Sequence, residues 1–250
     1  MKKYLLTAAV FFAAVCMGFS ETAPDFTEIL EKIDFQSTFE KYDFSSKMTM
    51  ISEDSEEGVE KLAVYQFRRD REDKFVMIIE QPEVQKGQGY LRYEDNLWFY
   101  DPESRKFSHS SMKENFSGTD AKNSDFQKSS LAEDYAVETW KEDKLGSYSV
   151  YVLELEALHN EVTYPKKKIW VTREDSLLLK TEDYSLTGRL MRTSLFPKYA
   201  KLGDSMIPVS MIFVDELVEG RKTQISLKDL SISPLADSIF TKAYIEKVNK

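Results

Sequence analysis

Cysteine and histidine are nearly absent from this chain, with one Cys and two His in 250 residues. A single thiol forms no intramolecular disulfide, and two imidazoles do not build a His-rich metal site. C-x-x-C pairs, G-x-S-x-G elbows, H-E-x-x-H helices and Gly-rich phosphate loops are missing too, so the common signatures of redox, hydrolase, zinc-peptidase and nucleotide chemistry do not occur. Basic side chains are outnumbered, 34 against 43 acidic, for a formal net charge of −9. Without a Lys/Arg stripe the chain lacks the charge that neutralises phosphates in nucleic-acid binding. Glycine (9) and proline (7) are few, and no low-complexity tract or internal repeat appears. The acidic runs 52–57 and 70–73 lack the alternating ligand spacing of a calcium loop and read as solvated hairpin tips, as Lys166-Lys167-Lys168 reads as a solvated strand end. What is plentiful is apolar: 42% hydrophobic and 13% aromatic residues, too many for a disordered chain.

The first twenty residues stand apart from the rest. Met1-Lys2-Lys3 is a positive start, and Leu5 to Val15 is apolar except for Thr7, the layout of a secretory signal too short for a stop-transfer span. Gly18 and Ser20 stand at −3 and −1 of a cut before Glu21. Cys16 offers a second outcome, lipidation of its thiol, although Val15 occupies a place where a small residue is usual. Cleavage after Ser20 removes the only Cys and two lysines, leaving 32 − 43 = −11. Either outcome places the remaining 21–250, read as one domain, outside the cytoplasmic membrane.

Residues 25–35 put Phe26, Ile29, Leu30 and Ile33 on one helical stripe. Beyond them the hydrophobic period becomes 2, in segments 43–51, 60–69, 73–80, 88–93, 96–100, 147–157, 167–173, 177–185, 188–196, 206–217 and 221–232. The joining turns are too brief for crossover helices, so about eleven strands form an antiparallel meander that must curl or close. In YLRYEDNLWFY a turn centred on Asp95-Asn96 pairs Tyr93 with Trp98 and Leu91 with Tyr100, and Asp101-Pro102-Glu103-Ser104 reads as a type I turn. Residues 110–146 interrupt the pattern with a Ser/Lys/Asn-rich stretch and a short helix from Leu131 to Trp140. Such an excursion is either a lid or a plain surface loop.

Several strands are apolar beyond the needs of a half-solvated sheet. Met48 and Met50 share a face, as do Phe75, Met77 and Ile79, and Leu91, Tyr93, Trp98 and Tyr100. These residues either fill a core or line a concave face for an apolar ligand, and the adaptable thioether of Met suits the second use.

GQGYLRYEDNLWFYDPESRKF resembles the central signature of the periplasmic lipoprotein-carrier (LolA-like) family. KFVMIIEQPEVQKGQG, NSDFQKSSLAEDY and the closing LADSIFTKAYIEKV are similar to its outer-membrane lipoprotein-sorting subgroup. Leu97, Trp98, Tyr100 and Pro102 fall on the pattern L-W-x-Y-x-P, and Ser124, Asp125 and Phe126 on S-D-F, preceded by Asn123 where the subgroup commonly has Gly. The resemblance implies a mainly β fold, a strongly curved antiparallel sheet forming an unclosed barrel with covering helices. It also implies a non-catalytic, cofactor-free monomer that carries lipoprotein or phospholipid acyl chains from an inner-membrane donor complex to an outer-membrane acceptor. The nine residues of the preceding paragraph are then the expected lining, Ser124, Asp125 and Phe126 the expected lid, and no metal is expected. Two other readings use the same sequence: an envelope interaction or sensor module of this fold, and a lipid hydrolase built on His109 with a nearby Ser.

Overall fold

The computed structural model describes residues 24–248 apart from 57 and 94. The expected export signal and Cys16 lie outside the described residues.

Helix α1 (Phe26–Ser37) follows the predicted stripe: Leu30 and Ile33 are buried, and the Asp25 side chain caps the first turn by accepting from the Glu28 amide at 3.1 Å. At its other end Arg68 donates to the Ser37 carbonyl (3.1 Å), placing a cation where the helix dipole is negative.

Thirteen strands follow among the described residues, in two meanders. The first is β1 (Phe44–Asp54), β2 (Gly58–Arg69), β3 (Lys74–Gln81), β4 (Gly89–Tyr93), β5 (Asn96–Asp101) and β6 (Lys106–Ser110). The second is β7 (Tyr135–Leu145), β8 (Tyr148–Ala157), β9 (Lys166–Thr172), β10 (Leu178–Tyr184), β11 (Leu190–Leu202), β12 (Ser205–Asp215) and β13 (Lys222–Ser231). Every strand pairs antiparallel with its sequence neighbour, and the β1–β13 pair joins the two halves into one sheet ordered β6-β5-β4-β3-β2-β1-β13-β12-β11-β10-β9-β8-β7. Register shifts at Leu195/Lys198 and Lys198/Tyr199 bend the β11–β12 pair. The curl stops short of closure, and β6 and β7 remain as free edges.

Two strands exceed the predicted eleven. Lys106–Ser110 is short and polar, as suits an edge strand paired on one side. The helix expected from Leu131 to Trp140 lasts only from Leu131 to Asp134 (α2), and Tyr135 onward pairs with β8. Tyr135, Val137, Thr139 and Trp140 fit a pleated surface better than a helix. The β4–β5 register also differs from expectation: Leu91 pairs with Trp98 and Tyr93 with Asn96. A slip of two keeps each side chain on its face, so Leu91, Tyr93, Trp98 and Tyr100 still share one.

That face is the outer one. Leu91 and Tyr100, with Trp98 at the margin, pack against Val76, Ile78, Phe240 and Ile245 of the C-terminal helix α3 (Lys242–Val248), while Tyr93 is 42% exposed. The Lys242 ammonium sits 3.2 Å from the Trp98 ring centroid. Arg69 anchors this tail by gripping Asp43 through two bonds of 3.0 Å and by donating to the Leu235 carbonyl (2.7 Å) and Asp237 (2.5 Å). Burial works against the Asp43 charge, but Arg69 and Arg71 overcome it and hold the carboxyl down at about 2.

Gly89 lets α3 approach, because a Cβ there would lie 2.9 Å from Ile245 Cγ2. Gly89→Ala is expected to lower stability by about 1–3 kcal/mol, as overpacking does. Denaturant melts measure the loss, and limited proteolysis should then release the C-terminal segment first.

Candidate functional site

Met48, Met77, Leu153 and Phe213 face the other side of the sheet. There, side chains from β2 (Gln66), β9 (Lys167), β10 (Thr181) and β12 (Met211) border a single cavity, so this face is concave. Its interior holds two packed cores. Beneath β1 to β5, Met48, Met50, Phe75, Met77, Ile79, Tyr90 and Leu97 form one; Leu153, Leu155, Ile169 and Val171 pack against Leu30 and Ile33 of α1 as the other. Beside them lies a cavity of about 220 Å³ bordered by Phe44, Met48, Ile207, Met211, Phe213 and Leu227, with Ile33 and Ser37 of α1 also on its border. A recess of about 400 Å³ adjoins it between α1, Tyr42 and α2, sharing Phe39, Lys128 and Ser129.

What fills the core is the 110–130 excursion. Despite its polar composition it turns back on itself, with Asn115 bridged to Lys122 and the Phe116 amide donating to the Ala121 carbonyl at 2.8 Å. Phe116, Ala121 and Phe126 drop into the concave core, with the two rings 5.3 Å apart. Ser117 N–H donates to the Tyr90 hydroxyl (3.2 Å), Arg92 bonds Gln127, and Asn123, 1% exposed, donates to the Ser111 carbonyl (2.8 Å). The segment is thus a strap tied across the open seam between β6 and β7.

The strongest tie is ionic. Arg192 of β11, buried, donates to Asp125 through both terminal nitrogens (2.6 and 3.1 Å) and through Nε to Asp183 (2.9 Å), which also accepts from Lys167 (2.5 Å). Burial pushes the Asp183 carboxyl up, but Lys167 and Arg192 outweigh it and the net direction is downward. The guanidinium also lies 5.0 Å from the ring centroids of Tyr164 and Phe213. Ser124 touches Thr163 across the seam (3.3 Å). A polar trough of about 730 Å³ runs along the seam, sharing Ser124, Asp125, Lys167 and Arg192 with the inner cavity.

A second clasp joins the two covering helices. Asp34 of α1 accepts from the Leu131 and Ala132 amides (2.8 and 2.9 Å) and from the Ser129 hydroxyl (2.5 Å), capping α2 from a neighbouring helix. Burial nevertheless pushes its carboxyl above the usual range.

A family model described as "Uncharacterized protein" matches residues 71–247. A LolA superfamily protein from Nitrosomonas europaea is 25% identical, with 87% of this chain and 97% of that one covered at a TM-score of 0.74. The chain belongs to that matched family, and its fold is LolA-like. An outer-membrane lipoprotein-sorting protein domain from Vibrio parahaemolyticus shares the fold at 22% identity and TM-score 0.77, covering 88% and 97% of the two chains. A DUF1329 family protein from Desulfovibrio piger does so at 20% identity and TM-score 0.77, with the same coverage. No curated protein is significantly similar in sequence.

Within this LolA-like fold the expected site residues separate. Met48, Met50, Phe75, Met77 and Ile79 are on the concave face, but only Met48 borders the cavity; the other four are enclosed in the packed core. Leu91, Tyr93, Trp98 and Tyr100 share one face as expected, but it is the outer one, away from the cavity. L-W-x-Y-x-P therefore encodes packing: Leu97 turns inward, Trp98 and Tyr100 support the C-terminal segment, and Pro102 sits in a turn fastened by Asp101. Ser124, Asp125 and Phe126 lie together over the interior. Sequence reasoning missed Arg192, whose signal was a lone Arg in an apolar-alternating strand, and the cavity-lining Met211, Phe213 and Leu227. His109 packs on Trp98 (centroids 3.8 Å apart) on the outer face, away from the cavity, and His159 bonds Asp134 (3.0 Å). Among the described residues no three His, Cys, Asp or Glu side chains converge as a metal site, and no helix is long and apolar enough to cross a membrane.

Arg192→Leu leaves Asp183 and Asp125 without their shared cation, and removing one partner of a buried pair costs about 3–5 kcal/mol. Urea unfolding should show that loss, and hydrogen exchange should show residues 111–130 losing protection before the β1–β13 pair.

Proposed function

We propose that this chain is a non-catalytic carrier of acyl lipids. It receives lipoprotein or related lipid chains from a donor at the inner membrane, shields them on the concave face, and passes them to an outer-membrane acceptor. The observation that carries this reading is the cavity left in an otherwise packed concave face. Two apolar cores occupy that face, and beside them a cavity with a largely apolar wall remains under a helix and a strap. The LolA-like fold and the names of the relatives support it, and the signal-like sequence of residues 1–20 agrees with work in the periplasm.

The energetics suit transport. Each buried methylene gains about 0.8 kcal/mol, so a pair of long chains is held without a covalent step and is released into a comparable apolar sink. At about 220 Å³ the cavity is below the roughly 300–1,000 Å³ typical of small-molecule sites. Loading therefore requires the cover to move, and the Phe126 ring and α1 are the parts whose withdrawal enlarges the space. The strap is held by the Arg192–Asp125 pair together with Phe116 and Phe126 in the core, and α1 by Asp34 together with Leu30 and Ile33, so withdrawal uncovers apolar surface that an incoming acyl chain can cover in turn.

Binding of a fluorescent fatty-acyl probe tests the reading. Met211→Trp, which fills the cavity from its wall, is expected to weaken binding at least tenfold, about 1.4 kcal/mol. Trp98→Ala, on the outer face, should lower the melting temperature and leave probe affinity unchanged. Undiminished binding to the Met211→Trp protein would place the lipid elsewhere.

A further inference from the structure

The cavity is not uniformly apolar. On β11 the residues that border it run Arg192, Ser194, Phe196, from a charge through a hydroxyl to a ring. Thr181 sits opposite Ser194 in the β10 pairing, adding a second hydroxyl at the same level. Ser194 is 1% exposed, and its Oγ is buried without a hydrogen-bond partner. A buried donor left unpaired is costly, and folded proteins rarely tolerate one unless a ligand or water completes it. At the Arg192 end the cavity meets the polar seam trough; at the other end lie Met211 and Leu227.

This gradient fixes what kind of molecule fits and which way round it lies. We propose that the ligand is an O-acyl lipid whose ester carbonyl accepts a hydrogen bond from Ser194, with its acyl chain beside Phe196 and its polar head beyond Arg192 in the trough. The assignment rests on the carrier reading and adds to it the linkage that is recognised. A hydrocarbon tail alone gains from burial but leaves Ser194 unpaired. A chain with a carbonyl at its polar end satisfies the hydroxyl while keeping its methylenes on the apolar wall. The trough of about 730 Å³ is lined by polar groups of both signs and selects no single head, so the ester is the shared feature of a phospholipid and of the diacylglyceryl group on a lipoprotein.

The test compares diacyl phosphatidylglycerol with its dialkyl ether analogue of equal chain length, both short enough to remain monomeric, on the full mature chain. The wild-type protein is expected to bind the ester about fivefold more tightly, the worth of one net hydrogen bond. Ser194→Ala should weaken ester binding to the ether level while ether affinity stays unchanged, which also shows that the variant is folded. An S-diacylglyceryl cysteine peptide is the third ligand. Ester dependence with it, with the phospholipid, or with both supports the proposal and tells the sources apart. Equal binding of ester and ether by the wild type overturns the proposal without any variant, as does an equal loss of both in Ser194→Ala. Binding of none of the three ligands overturns the carrier reading itself.

Discussion

Arg192 is buried on the concave face of an open sheet, where a guanidinium must be surrounded by partners. Asp183 comes from the adjacent strand, but Asp125 comes from the strap, some seventy residues earlier in the chain. Meeting that demand pulls the 110–130 segment across the seam and sets Phe116 and Phe126 into the core. A cavity remains beside the cores formed under the strap and under α1. Asp34 performs the same service at the mouth, tying α1 to α2.

Buried ion pairs are poor sources of net stability compared with apolar packing, but they specify position well. Here they set where the strap lies against β11. Apolar contacts hold the sheet's permanent structure: the Met- and Phe-rich core inside, and the α3 contacts outside, where Arg69 fixes the tail. The strap and α1 combine both kinds of contact: Phe116, Phe126, Leu30 and Ile33 are buried in the apolar cores, while Asp125 and Asp34 fix where those segments sit. The outer aromatic cluster packs on the opposite side of the sheet from the cavity.

Much of the fold was legible in the sequence. Period-2 patterning and β-favouring composition located eleven of the thirteen strands seen among the described residues, and the stripe Phe26, Ile29, Leu30, Ile33 located α1, because burial on one face imposes those periods. The missed strands are the two free edges. Each pairs on one side only, so Lys106–Ser110 and Tyr135–Leu145 carry polar residues where a central strand would alternate. The site was less legible. Grouping residues by face worked within each hairpin, but nothing local says which face is concave. Leu91, Trp98 and Tyr100 were therefore grouped correctly and assigned to the wrong side. Arg192 and Ser194 were invisible because their meaning comes from residues remote in sequence. Asp125 and Phe126 were found through a motif, and their partners only through the structure.

Native mass spectrometry of the protein, purified without added lipid from the host that makes it, reads out a carried lipid. A carrier gives a peak heavier than the bare chain by the mass of one diacyl lipid, lost when the protein is stripped in organic solvent. A spectrum holding only the bare chain, under conditions that preserve other lipid complexes, would contradict the carrier reading.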